Sequence, residues 1–212
     1  MLIQNGDVVL FQGDSITDAG RIYENPNDLG PGYPNFIASM FSALHPDLEV
    51  NFVNRGISGN RVRDLKARWI KDCLDIKPDV LSILIGINDT WRRFDSGDPT
   101  TAEAFKADYQ DILSQVRTEL PKTKIILLEP FVLPYPADRI AWREDLDPKI
   151  HAVRELAKEF DTYFLPLDGV FAQAYLRKEP TFWSADGVHP TQAGHALITK
   201  EWLGLISSSF EK

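Results

Sequence analysis

Apolar positions follow two rhythms along this chain. Short runs that are apolar on consecutive residues alternate with longer stretches in which apolar residues recur every three or four positions. The runs lie at Asp7–Gln12, Glu49–Asn54, Val80–Ile85, Lys124–Glu129 and Tyr163–Leu167. Val8-Val9-Leu10-Phe11 and Ile125-Ile126-Leu127-Leu128 have no polar face at all, as in strands of a parallel sheet covered on both sides. The helical rhythm appears in Phe36, Ile37, Met40, Phe41 and Leu44, and in Val62, Leu65, Trp69 and Cys73. It returns in Ile150, Val153, Leu156, Ala157 and Phe160, where Pro148 obscures the start. A last helix is expected from Thr191 through Leu197, Ile198, Trp202 and Leu205. Thr100-Thr101-Ala102-Glu103 reads as a capping box ahead of a helix over Phe105–Leu120.

Strand–helix alternation predicts an α/β fold with a parallel sheet and right-handed crossovers. Ligands of such sheets bind outside the carboxyl ends of the strands. The first three strands run into Gly13-Asp14-Ser15, Asn54–Asn60 and Gly86–Asp89, all polar and marked by glycine. Two long irregular stretches, Arg21–Pro34 and Pro130–Arg143, are candidate walls of a cleft.

Composition narrows the picture. A chain of 212 residues, 43% hydrophobic, suits a single domain over residues 1–212. A net charge of -8 argues against nucleic acid and anionic membranes as main partners and leaves room for a small substrate. Cys73 is the only cysteine, so no internal disulfide forms. The opening Met1-Leu2-Ile3-Gln4-Asn5-Gly6-Asp7 lacks the basic and apolar parts of a signal peptide, and no apolar stretch approaches the ~20 residues of a membrane span. A soluble, cytoplasmic protein is expected.

Gly-Asp-Ser turns are common, and so is Asp-x-x-His. Their combination is what points to chemistry. Ser15 ends the first strand as a candidate nucleophile, and Asp186-Gly187-Val188-His189-Pro190 supplies a base, His189, with an acid three residues earlier to hold its other ring nitrogen. Acyl transfer also needs donors for an oxyanion. The backbone N–H groups of Ser15 and Gly59 and the side-chain amide of Asn88 qualify, since glycine lets an oxygen approach the main chain and asparagine brings donors without charge. Asp14 and Asp89 read as turn residues. Asp14, Asn60, Trp91 and Arg92 flank these positions and are the candidate substrate contacts. Ser15 is not in a Gly-x-Ser-x-Gly elbow, and no Gly-Lys-Ser/Thr follows Gly13. A metal at His189, His195 and Asp186 is disfavoured, because no cysteine is near and no His-Glu-x-x-His occurs. No cofactor and no metal are expected. His195 reads as a packing residue of the last helix, His45 as a helix end and His151 as solvated.

Gly13-Asp14-Ser15-Ile16, Gly56-Ile57-Ser58-Gly59-Asn60, Gly86-Ile87-Asn88-Asp89 and Asp186-Gly187-Val188-His189-Pro190 resemble, in order and spacing, the four blocks of the GDSL, or SGNH, hydrolases. The resemblance covers nearly the whole chain. It implies a three-layer flavodoxin-like fold with strand order 2-1-3-4-5. It also implies Ser15 as nucleophile, Gly59 and Asn88 as oxyanion donors, His189 as base and Asp186 as its partner. The stretches Gly56–Trp69 and Ile85–Arg92 resemble the intracellular acetylxylan esterases of that family. They imply an acetylated xylo-oligosaccharide as substrate and a homo-oligomer. A lysophospholipase, thioesterase or aryl esterase is the alternative within the family, and a non-catalytic binding module the alternative outside it. The charged, proline-rich stretches 21–34 and 130–143 favour a polar substrate.

Overall fold

The computed structural model describes residues 2–207. The expectation of one domain over 1–212 therefore extends at both ends past the described residues. In chain order the elements are β1 Val8–Gly13, α1 Ser15–Asp18, α2 Tyr33–Leu44, β2 Asn51–Asn54, α3 Val62–Ala67, β3 Val80–Leu84 and α4 Ile87–Asp95. Then come α5 Ala102–Glu119, β4 Lys124–Leu128, α6 Arg143–Glu159, β5 Tyr163–Leu165, α7 Leu167–Tyr175, α8 Pro180–Trp183 and α9 Gln192–Ser207. The strands form a five-stranded sheet in the order β2-β1-β3-β4-β5, and every neighbouring pair is parallel.

Side chains of a strand alternate between faces, so consecutive apolar residues feed two cores. Val9 and Phe11 of β1 join Ile126 and Leu128 of β4 in one core, with Tyr33, Phe41 and Trp202 from α2 and α9. Leu10 joins Ile83, Ile125 and Leu127 in the other, with Leu65, Trp69, Tyr109 and Val153 from α3, α5, α6 and the segment after α3. Covering both faces is why these runs carry no polar alternation. The one polar interruption of β3, Ser82, is buried and accepts a hydrogen bond from Trp202 Nε1 at 3.1 Å.

Several boundaries differ from the sequence expectation. The Val62–Cys73 stripe is not one helix. α3 stops at Ala67, and a π-helical turn over Ile70–Leu74 carries Cys73, while Val62, Leu65, Trp69 and Cys73 stay buried throughout. The stripe records burial, which survives the break. The cap of α5 is Thr101, whose hydroxyl accepts from the Ala104 N–H at 3.2 Å; the cap thus lies one residue beyond Thr100, and alanine at the third helical position leaves it without the reciprocal bond of a capping box. α6 starts at Arg143 and holds Pro148 within its second turn, where the missing N–H removes one helical bond. The stretch 130–143 contains a 3₁₀ turn, Ala137–Trp142. Helices α1, α4, α7 and α8 had no counterpart in the periodicity reading. Gly13 of β1 pairs with Leu84 of β3. The segments after these two strands therefore leave the sheet at one level, side by side.

Candidate active site

Ser15 is the first residue of α1, directly after β1. The turn is tight: a Cβ on Gly13 would lie 2.2 Å from Thr17 Oγ1 and 2.4 Å from the Leu84 carbonyl oxygen, so only glycine fits. Asp14 caps α1, with Oδ1 accepting from the Ile16 N–H at 3.0 Å. Ser15 Oγ lies 2.9 Å from Nε2 of His189, 174 residues away. His189 Nδ1 lies 2.7 Å from Asp186 Oδ2. Asp186 Oδ1 meanwhile accepts from the backbone N–H groups of Val188 and His189 at 2.9 and 2.7 Å, an arrangement that fixes the carboxylate and the ring together. Behind this loop Gly187 has φ +87°, and a Cβ there would lie 2.0 Å from the Tyr135 carbonyl oxygen.

Those contacts set the protonation pattern. An ionised carboxylate only accepts, so the Nδ1 proton of His189 points at Asp186, and Nε2 is left to accept the Ser15 hydroxyl proton. The bond to Asp186 raises the His189 pKa above its ordinary value, against the opposing pull of burial. Burial pushes the Asp186 carboxyl up, but its bonds to the His189 ring and to two amides outweigh that and hold it below the usual carboxylate range.

Asn88 is the second residue of α4, at the end of β3. Gly86 makes that turn with φ +131°. The Asn88 amide donates one hydrogen to the Asn60 carbonyl at 3.1 Å and retains a second. Gly59 has φ +81° and open space where a side chain would be. The N–H groups of Ser15 and Gly59 donate to no partner among the described residues. The arrangement can therefore abstract a hydroxyl proton and offer donors to a developing oxyanion.

The candidate substrate contacts divide. Trp91 stands beside the site, its ring 5.7 Å from that of His189. Asn60 is half-buried, its side chain accepting from Arg68 Nε at 2.8 Å. Arg92 pairs with Asp95 on its own helix. Asp14 is corrected: it is 0% exposed, with Oδ1 spent on the Ile16 N–H and Oδ2 buried, so its carboxyl has no surface to offer a substrate in this structure. Burial lifts its pKa to about 7, although the Ile16 N–H and His189 work downward. His195 lies on α9, buried, and its Nδ1 accepts from the Tyr33 N–H at 3.1 Å; burial lowers its pKa to about 4. His45 ends α2 and His151 is exposed on α6.

Two features were not read from the sequence. Arg139, in the 3₁₀ turn, lies 4.0 Å over the Trp142 ring and 5.0 Å over Trp91, and its Nε donates to the Asp186 carbonyl at 3.3 Å. It also lines a cavity of about 290 Å³ with Leu133, Ile140, Arg143, Asp168 and Tyr175. Asp18, at the end of α1, accepts from both the N–H and the hydroxyl of Ser58. Neither position has local periodicity or a motif to signal it. An apolar groove of about 590 Å³ runs between α2 and α9, past Phe36, Met40 and Leu203, and includes none of the residues around Ser15. Among the described residues no helix is long and apolar enough to cross a membrane.

The sequence profile of the GDSL-like Lipase/Acylhydrolase family matches residues 11–197. An acetylxylan esterase of Geobacillus stearothermophilus is 36% identical over 209 residues, 96% of this chain and 95% of that one. A crystal structure from Parabacteroides merdae ATCC 43184, described as a GDSL-like lipase, superposes with a TM-score of 0.92 at 37% identity, covering 97% of each chain. The acetylxylan esterase Axe2 of Geobacillus stearothermophilus superposes with a TM-score of 0.88 at 33% identity, covering 100% of this chain and 98% of that one. Solved catalytic mutants of Axe2 carry alanine in place of a serine, an aspartate or a histidine.

Proposed function

Because the chain belongs to the GDSL-like lipase/acylhydrolase family and is a carboxylic-ester hydrolase, we propose that it removes acetyl groups from short acetylated xylo-oligosaccharides through an acyl-enzyme intermediate. The observation that carries the reading is the unbroken line from Ser15 Oγ to His189 to Asp186. His189 Nε2 takes the Ser15 proton while Oγ attacks the acetyl carbonyl. The N–H groups of Ser15 and Gly59 and the Asn88 amide hold the oxyanion. As the tetrahedral centre collapses, His189 passes that proton to the departing sugar oxygen, leaving acetyl on Ser15. Water then enters, gives its proton to His189 and attacks the acetyl carbonyl. Collapse releases acetate, and the proton returns to Ser15 Oγ.

Two features support a short acyl group on a polar alcohol. The apolar groove large enough for a fatty chain lies between α2 and α9, away from Ser15. The cavity that Arg139 lines also includes none of the residues around Ser15, but Arg139 links it to the site through the Asp186 carbonyl and the Trp91 ring, and it combines a guanidinium, the Arg143–Asp168 pair and a tyrosine with apolar walls, the mixture that a sugar ring uses. A homo-oligomer in the cytoplasm completes the proposal. The test is a panel of p-nitrophenyl esters from acetate to octanoate beside acetylated xylo-oligosaccharides, with released acetate measured. Acetyl compounds are expected to lead, and an optimum at hexanoate or octanoate refutes the acetyl assignment in favour of a lipid ester.

A further inference from the structure

We propose that Asp89 is a positioning residue for the oxyanion site, its buried carboxyl holding the turn Ser58–Val62 against the first turn of α4. The proposal rests on the esterase reading above. Two of the three donors sit on different elements: Gly59 on the turn after β2, Asn88 on α4. They serve one oxygen only if turn and helix keep a fixed offset. On one side Asp18 of α1 grips the turn, accepting from the Ser58 N–H at 3.1 Å and the Ser58 hydroxyl at 2.6 Å. On the other side two bonds reach α4. One is from Asn88 itself, whose amide donates to the Asn60 carbonyl. The second is from the Val62 N–H to Asp89 Oδ2 at 3.1 Å. Asp89 thus ties the far end of the turn without engaging the amide that has to meet substrate.

The carboxyl suits a fixed joint. Asp89 is 0% exposed, and its Oδ1 has no partner. Burial lifts it to about 7; the Val62 N–H, Lys149 of α6 and Arg61 work downward and Asp14 upward. Bonded through one oxygen, the carboxyl has the shape of an amide, whose oxygen can accept the same Val62 N–H. Asparagine should therefore replace it and alanine should not.

The experiment measures kcat and KM for p-nitrophenyl acetate, with thermal melting as a control. Asp89→Ala is expected to lower kcat about 10- to 100-fold, the effect of a displacement near 1 Å, with KM changed by less than about twofold. Asp89→Asn should stay within about threefold of the parent. Val62→Pro removes the donor and keeps an apolar side chain of similar size at this buried position, with thermal melting reporting any packing cost: Val62 is the first residue of α3, where proline fits, and Arg61 before it is extended at ψ 174°. It should reproduce the kcat loss even if Asp89→Ala does not fold. Because Asp89 acts through the donors, Asp89→Ala combined with Asn88→Ala should be little worse than Asn88→Ala alone. Parent-like kcat in both Asp89→Ala and Val62→Pro, or losses that multiply in full with Asn88→Ala, overturns the proposal. A parent protein without any ester turnover strikes the esterase reading instead.

Discussion

Replacing Asp186 by asparagine changes one atom, and the surrounding bonds dictate the consequence. Oδ1 of Asp186 accepts from two backbone N–H groups and Oδ2 faces His189 Nδ1. An amide nitrogen cannot accept, so the asparagine oxygen must stay on the two N–H groups and its NH₂ must face the ring. Turning the amide round forfeits two bonds of about 1 kcal/mol each and opposes N–H to N–H, roughly 3 kcal/mol in all. That is about a hundredfold at 1.36 kcal/mol per decade. In the favoured orientation the NH₂ donates to Nδ1, the imidazole proton moves to Nε2, and His189 can no longer accept from Ser15. The lost charge removes a further ~1.5–3 kcal/mol of support for the imidazolium. Together kcat/KM should fall about 10³- to 10⁴-fold, in line with the same exchange in serine proteases. Asp186 is also what raises the His189 pKa, and the base works only when neutral. The acid limb of the parent should therefore lie above the ordinary ~6.5, and residual activity of the variant should extend to lower pH. The assay is kcat/KM for p-nitrophenyl acetate from about pH 5 to 9. A variant within tenfold of the parent with an unmoved limb refutes the reasoning and leaves Ser15 and His189 as a dyad.

Asn88→Ala should lower kcat by about 10²–10³ with KM nearly constant, since one oxyanion donor is worth roughly 3–4 kcal/mol at the transition state; a change confined to KM would make Asn88 a substrate contact only. Along an ester series each added methylene can contribute at most ~0.8 kcal/mol, and only where a pocket receives it, so turnover should decline steadily beyond acetyl. Stability should fall as pH rises from about 4 to about 7. Asp14 and Asp89 keep their protons in the folded state up to about 7, whereas an unfolded aspartate releases its proton near 3.9. Melting at about pH 5 and pH 7.5 should therefore differ less in Asp14→Asn, which keeps the cap on Ile16. An unchanged difference would remove Asp14 from the set of titrating groups.

Strands and their order were legible because burial on both faces writes itself as unbroken apolar runs, and because Ser15, Gly59, Asn88 and His189 occur in recognisable blocks. The helices around the site were not. α1 has four residues, too few for a period, and α4 reads Ile-Asn-Asp-Thr-Trp-Arg-Arg-Phe-Asp, whose first turn is shaped by hydrogen bonds rather than by an apolar stripe. Asp14 illustrates the reverse error: a carboxyl beside a nucleophile looks like a substrate contact, but its neighbour relation along the chain says nothing about which way it faces. Arg139 reaches Asp186 from 47 residues away across a proline-rich turn, and no local pattern encodes such a contact.

The central claim is that Ser15 carries the acetyl group. Acetate release from acetylated xylo-oligosaccharides, measured for the parent and Ser15→Ala, tests it together with a serine-directed phosphonyl fluoride followed by peptide mapping. The account predicts a single adduct on Ser15, inactivation in step with labelling, and a folded Ser15→Ala protein whose turnover is lower by about 10⁴-fold or more. Labelling elsewhere, or an alanine variant that still releases acetate at a substantial rate, contradicts it.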